Sequence, residues 1–307
     1  MAHRKVKTNF NILSNYDFFT PGPVDIIVLL FLLLGGALIG GLISMPFVLL
    51  MPDNPDSLMY SMLVSYPVMF IPPMIYAAHK SHGNSFFGKG YKLSNGHYSP
   101  LGIAMCAILV VIVTLTTSFL ADSVISLLPP MSDRLQDILS SLTGGNFLLN
   151  FLCVSIFAPF FEEWLCRGMV LRGLLNYEHR NKEGETVRGI KPVWAIVISA
   201  AFFALIHFNQ WQGIAAFSLG LVFGYVYYRT GSLWLTMLMH FANNTFALVL
   251  SHIDSLKDIE NYGELMPDAL YWAIMAFCIA FLVYFIHKFL AIKPLDRQGS
   301  CAEIASE

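Results

Sequence analysis

Three short stretches place polar side chains of catalytic type inside apolar runs: "FFEEWLCRG", "FALIH" and "HFANN". The first carries adjacent carboxylates, Glu162 and Glu163, with Arg167 four residues after the second. On insertion scales a charge in a membrane core costs roughly 2.5–3.5 kcal/mol, so three left unpaired would cost about 8 kcal/mol. Glu163 and Arg167 stand at i and i+4 with the acid nearer the N-terminus, the favourable order for an intrahelical pair. They read as structural support that neutralises itself. Glu162 is rotated by about 100° from its neighbour, so it shares the arginine less easily and is left to face a polar cavity. Pro159, just before, interrupts the helical hydrogen-bond ladder and predicts an opening or bend there.

His207, in the second stretch, follows Phe203 by one helical turn, and no Asp, Glu, Lys, Arg or other His falls between Lys191 and Arg229. Taken singly, a histidine near a span end reads as an interfacial residue. His240, in the third stretch, lies near the middle of its run with Asn244 at i+4 on the same face and Asn243 one step round. A histidine and two amides at that depth require at least interhelical hydrogen bonds. Brought into one cavity, the three stretches would supply a base in Glu162, an imidazole in His207 to position water, and donors to an oxyanion in His240 and Asn244.

The elements that must position these groups are membrane helices. The 307-residue chain is 56% hydrophobic and only 12% charged, against about 25% charged in soluble domains. Apolar segments of spanning length fall at about 24–51, 58–79, 98–128, 147–171, 192–209, 211–228, 231–252 and 268–290. This predicts an all-α polytopic bundle of about eight transmembrane helices forming a single membrane domain, 1–307. The fifth and sixth segments are short and separated only by "NQW", which leaves a re-entrant pair open there. The first apolar run is too long for a cleavable signal core and reads as a retained span. Glycines in "GGALIGG" suit close helix packing, and Tyr76, Trp194, Tyr227, Tyr228 and Trp234 suit the interface.

Of the 18 Lys and Arg residues, 15 fall in the two tails and in alternate loops on one side, Arg172 in the fourth loop among them. Arg134 and Lys257 fall on the other side and Arg167 lies within a span. The split places both termini, 1–23 and 291–307, in the cytoplasm and favours an even number of spans. The net charge of −2 and the lack of a dense basic cluster give no indication of a nucleic-acid partner. Cys106, Cys153, Cys166 and Cys278 lie in apolar runs and, with Cys301, are odd in number and widely spaced. They read as small hydrophobes, neither a disulfide framework nor a zinc ribbon.

The three stretches together resemble the intramembrane CAAX proteases and bacteriocin-processing enzymes, also called the Abi family, whose motifs are E-E-x-x-x-R, F-x-x-x-H and H-x-x-x-N. Here these are "EEWLCR" from Glu162, "FALIH" ending at His207 and "HFANN" from His240 to Asn244. The order agrees, and the likeness covers about residues 147–250, the expected catalytic core. It implies an endopeptidase cutting a membrane-associated peptide or membrane protein, in some members a lipidated one, with lipid as its surroundings. By position, Glu162 would be the base, His207 would bind or orient water, and His240 with Asn244 would stabilise the oxyanion. Glu163 and Arg167 would support the site. The family is commonly classed with metalloproteases, and Glu162, His207 and His240 would be the ligands of a divalent metal such as zinc with an open position for water. Direct activation of water by glutamate and histidine uses the same residues, and the sequence leaves both open. The expected location is a bacterial plasma membrane.

Rival readings are a transporter, because intramembrane ionisable groups also mark ion paths, and a non-catalytic scaffold such as a bacteriocin-immunity protein. No inverted repeat supports the first; nothing in the sequence excludes the second. Neither H-E-x-x-H nor G-x-S-x-G occurs, and every Asp falls in a predicted loop, at a span end or in a tail, so other protease chemistries lose ground. One mismatch stands out. Counted from the cytoplasmic ends, Glu162 and His240 lie roughly 15 Å deep and His207 roughly 23 Å.

Overall fold

The computed structural model describes residues 12–86, 90–136, 140, 145–180, 182–188, 190–256 and 261–294. Among them eight helices of fourteen residues or more follow in order: α1 (Pro23–Leu50), α2 (Ser57–Asn84), α3 (Ile103–Ile125), α4 (Phe147–Asn176), α5 (Pro192–Leu205), α6 (Gln210–Thr230), α7 (Leu233–Ser251) and α8 (Asp268–Leu290). A small hairpin, β1 (Glu178–Arg180) antiparallel to β2 (Thr186–Arg188), joins α4 to α5. The chain is an all-α polytopic bundle, one helix for each apolar segment of the sequence. Six helices are long and apolar enough to cross a membrane. Of the other two, α6 has the length but opens on the polar "QWQ", and α5, with 14 residues, rises only about 21 Å against a hydrocarbon core of about 30 Å. The expected tails fall largely on residues 1–11 and 295–307, outside those described, as does Cys301; the other four cysteines are buried and unbridged.

The outward faces of α1 and α8 are largely apolar, with Phe31, Leu38, Leu42, Trp272, Phe277 and Val283 all exposed. Inversion of the usual polar exterior is the mark of a lipid-facing surface. Helices α1 and α2 approach closely because glycine lets them: a Cβ on Gly36 would stand 2.3 Å from the Met69 carbonyl oxygen, and one on Gly40 2.7 Å from that of Ser65. Backbone contact of this kind gives dispersion without a hydrophobic driving force, as lipid requires.

The end of the bundle that holds the C-terminal part of α4 is tied together by Arg172. The sequence assigns this residue to a loop, but the structure buries it within α4, where its guanidinium donates to five carbonyl oxygens. These belong to Gly168 (2.7 Å), Tyr91 (2.7 Å), Tyr16 (3.2 Å), Asp17 (3.4 Å) and Phe19. Five fixed donors make arginine the side chain for such a hub. Tyr227 is a second departure from the sequence reading. It does not sit at an interface but is buried, with its hydroxyl donating to the Leu93 carbonyl at 2.8 Å. Trp194 and Trp234 are exposed as expected.

Candidate active site

Helix α4 carries the first motif, and its backbone is not a uniform α-helix. Residues Phe151–Phe157 and Trp164–Leu171 are π-helical, bracketing an α-helical turn Ala158–Glu163. Pro159 has no N–H, and its ring crowds the carbonyl four residues back. The ladder widens around it, with the Ala158 amide reaching five residues back to Cys153. The helix therefore continues, opened as expected but in the wide form that recurs at functional sites.

The two glutamates on that turn have different partners. Glu163 and Arg167 are fully buried and paired at 2.8 Å. The second guanidinium arm reaches the Gly220 carbonyl at 3.3 Å. The rings of Phe203 and Phe223 cover the cation at 4.5 and 5.2 Å, a favourable placement for a desolvated arginine. The same carboxylate oxygen of Glu163 also faces His240 Nδ1 at 3.0 Å. Glu163 thus orients a histidine of the site as well as balancing Arg167, a link the sequence did not disclose. Glu162 accepts a hydrogen bond at Oε1 from the Tyr66 hydroxyl of α2. Its other oxygen, Oε2, is buried without a hydrogen-bond partner among the described residues and lies 3.9 Å from His240 Nε2.

His207 lies just past the end of α5, in the turn to α6. Its Nδ1 is 2.7 Å from the Phe203 carbonyl oxygen, so a proton there leaves Nε2 as an acceptor. The Phe203 ring meets both His207 and His240 edge-on, with centroids 5.1 and 5.5 Å apart. Asn244 donates to the Val154 carbonyl in the first π-helical stretch at 2.8 Å and accepts from Asn243 at 3.1 Å. Its amide keeps a second N–H.

Glu162, His207, His240 and Asn244 line one cavity of about 280 Å³, together with Asn243, Gln212, Phe203 and Phe223. All four expected catalytic residues are brought to the same space, and Glu163 and Arg167 lie behind its wall. The depth mismatch dissolves for two reasons. Helix α4 continues to Asn176, so Glu162 is fourteen residues from its end, much as His207 is fifteen from Pro192. The turn before α7 is sunk: Thr230, Ser232 and Leu233 are fully buried under residues 94–98, with Asn95 N–H donating to Gly231 and His97 N–H to Thr230, each at 2.8 Å. Gly231, at φ 63° and with a Cβ position 2.8 Å from the Asn95 carbonyl oxygen, admits no side chain there.

Sequence reading missed Tyr66 and Gln212 as contributors and noted Asn243 only as a buried amide beside Asn244. Tyr66 lies in "SYPVMF", where a mid-span hydroxyl is the only signal. As a metal site the residues present do not fit: among the described residues no three His, Cys, Asp or Glu side chains gather closely enough to hold an ion. The conditional trio Glu162, His207 and His240 is therefore not assembled as a coordination sphere, and no chemical step is derived through a metal.

Residues 144–246 match the family of type II CAAX prenyl endopeptidases described as Rce1-like. The match encloses all three motifs, from Glu162 to Asn244. No curated protein and no solved structure matches the chain.

Proposed function

We propose, from the match of residues 144–246 to the CAAX prenyl endopeptidase family, that the protein is an intramembrane endopeptidase with Glu162 as its base. The observation that carries this reading is the meeting of Glu162, His207, His240 and Asn244 around one cavity, with Glu162 Oε2 unpartnered. A water between Oε2 and His207 Nε2 would lose its proton to Glu162 as its oxygen attacks the scissile carbonyl carbon. The oxyanion would be met by the remaining N–H of Asn244 and, when both ring nitrogens of His240 carry protons, by its Nε2–H. As the C–N bond breaks, the proton held on Glu162 passes to the leaving amine, which restores the carboxylate. Glu163 fixes the ring of His240, and Arg167 balances the charge of Glu163.

The substrate we propose is a membrane-tethered peptide, and a prenylated peptide ending in C-a-a-X is the first to try. We take residues 147–250 as the catalytic core within a single membrane domain of a bacterial plasma membrane; placing both termini in the cytoplasm rests on the distribution of Lys and Arg. The purified protein should cleave such a peptide, and Glu162→Ala should reduce the rate by at least about a thousandfold while the protein still accumulates and stays folded in detergent. Undiminished cleavage by Glu162→Ala would sink the mechanism. A folded wild-type protein that cleaves no membrane-tethered peptide would leave the scaffold reading in its place.

A further inference from the structure

We infer that Tyr66 is a positioning residue for Glu162, selecting which of its two oxygens meets water; the inference rests on the endopeptidase reading for its chemistry but not for its geometry. The Tyr66 hydroxyl donates to Oε1, and Tyr66 does not line the cavity that holds the other site residues. Of the four lone-pair directions of a carboxylate, one on Oε1 is thereby taken. Oε2 remains as the oxygen with buried, unused acceptor capacity, facing His240 Nε2 at 3.9 Å. A glutamate side chain free to rotate about its last bond would exchange the two oxygens. A donor on one of them holds the plane of the carboxylate still.

The fold invests in the placement of that donor. Tyr66 lies between Ser65 and Met69, the two residues whose carbonyl oxygens meet Gly40 and Gly36 of α1 at distances that exclude a Cβ. Pro67 follows directly, so the carbonyl one turn earlier has no amide partner at that position. The ring of Tyr66 packs against Phe70 at 5.6 Å, and Phe70 stacks on Phe161 at 5.0 Å, beside Glu162 itself. Helix α2, which lies outside the stretch matched by the protease family, thus contributes one polar contact to the site through a rigid seam.

The test compares the wild type, Tyr66→Phe and a protein with p-aminophenylalanine at position 66, which keeps the ring and offers an N–H in place of the hydroxyl. With a farnesylated C-a-a-X peptide as probe, Tyr66→Phe should lower kcat by about ten- to a hundredfold, the scale of a lost hydrogen bond to a charged group. KM should stay within about twofold, because an unbound position away from the cavity contributes no substrate binding energy. p-Aminophenylalanine should recover part of the loss. Infrared difference spectra between each protein and its Glu162→Gln counterpart isolate the Glu162 carboxylate band without any substrate. That band should shift on Tyr66→Phe and return toward its original position with p-aminophenylalanine. An unshifted band would overturn the inference whatever the activity, and so would a shifted band with unchanged kcat. Absence of cleavage by the wild type refutes the endopeptidase reading instead, and the infrared arm still decides whether Tyr66 holds Glu162.

Discussion

Two arginines five residues apart on α4, Arg167 and Arg172, are both buried and are satisfied in opposite ways. Arg167 meets one carboxylate, one carbonyl and two aromatic faces. Arg172 meets five backbone carbonyls, drawn from its own helix, the segment before α1 and the segment after α2. A carbonyl has no charge to lose, so the Arg172 hub holds strands of chain together without touching chemistry. A carboxylate does have one, and Glu163 turns one oxygen, Oε1, to both Arg167 and His240. Burial of a cation on this helix therefore serves architecture near the end of α4 and the candidate site near its middle.

The contrast is broken most severely at Arg167. Arg167→Ala leaves Glu163 buried and uncompensated, and should cost about 3–5 kcal/mol of stability together with cleavage. A melting temperature equal to the wild type would contradict the role. The sharper form is Glu163→Leu combined with Arg167→Met, which removes both charges at similar volume. Thermal stability should return to within about 1–2 kcal/mol of wild type, while cleavage stays lost because His240 has no orienting partner. Recovery of activity in that double variant would show that Glu163 does nothing for His240.

Arg172→Ala should come next in size. Several carbonyls lose a donor at once, each unsatisfied buried group costing about 1–3 kcal/mol before water enters. Melting should fall by several degrees, yet kcat per folded molecule should stay within about twofold. A loss of kcat matching that of Arg167→Ala would erase the distinction between the two arginines.

The smallest effect concerns Asp17, whose backbone carbonyl belongs to the Arg172 hub. Burial pushes its carboxyl above the usual carboxylate range, opposed by the Leu93 N–H at 3.0 Å and by the nearby Arg172 and Lys92. A raised value means that the folded protein binds this proton more tightly than the unfolded chain does. Its contribution is then most favourable below the unfolded value and declines as pH rises through the folded one. Melting curves taken from mildly acidic to neutral pH should show a shallow decline that Asp17→Asn flattens. An unchanged slope in that variant would remove Asp17 as its cause.

Much of the site was legible because helical spacing and hydropathy are local. Glu163 and Arg167 four residues apart, and His240 with Asn244 likewise, require only one helix each to be read. Tyr66 was not legible, since nothing in "SYPVMF" points to a carboxylate 96 residues away. Arg172 was misassigned because counting charges cannot distinguish a solvated loop from a helix end whose carbonyls replace water. The sunken turn before α7 was hidden for a similar reason: its depth is set by residues 94–98 lying over it.

The sequence by itself determined that this chain is a bundle of membrane helices and which polar side chains interrupt them, because the cost of polarity in lipid makes each exception conspicuous. Only the tertiary structure decided which oxygen of Glu162 is free, that Glu163 serves His240 as well as Arg167, and that the extension of α4 and the sunken turn before α7 bring Glu162 and His240 level with His207. Those are facts about distance between helices, and distance is set by glycine seams, buried turns and π-helical widening that act between segments remote in sequence.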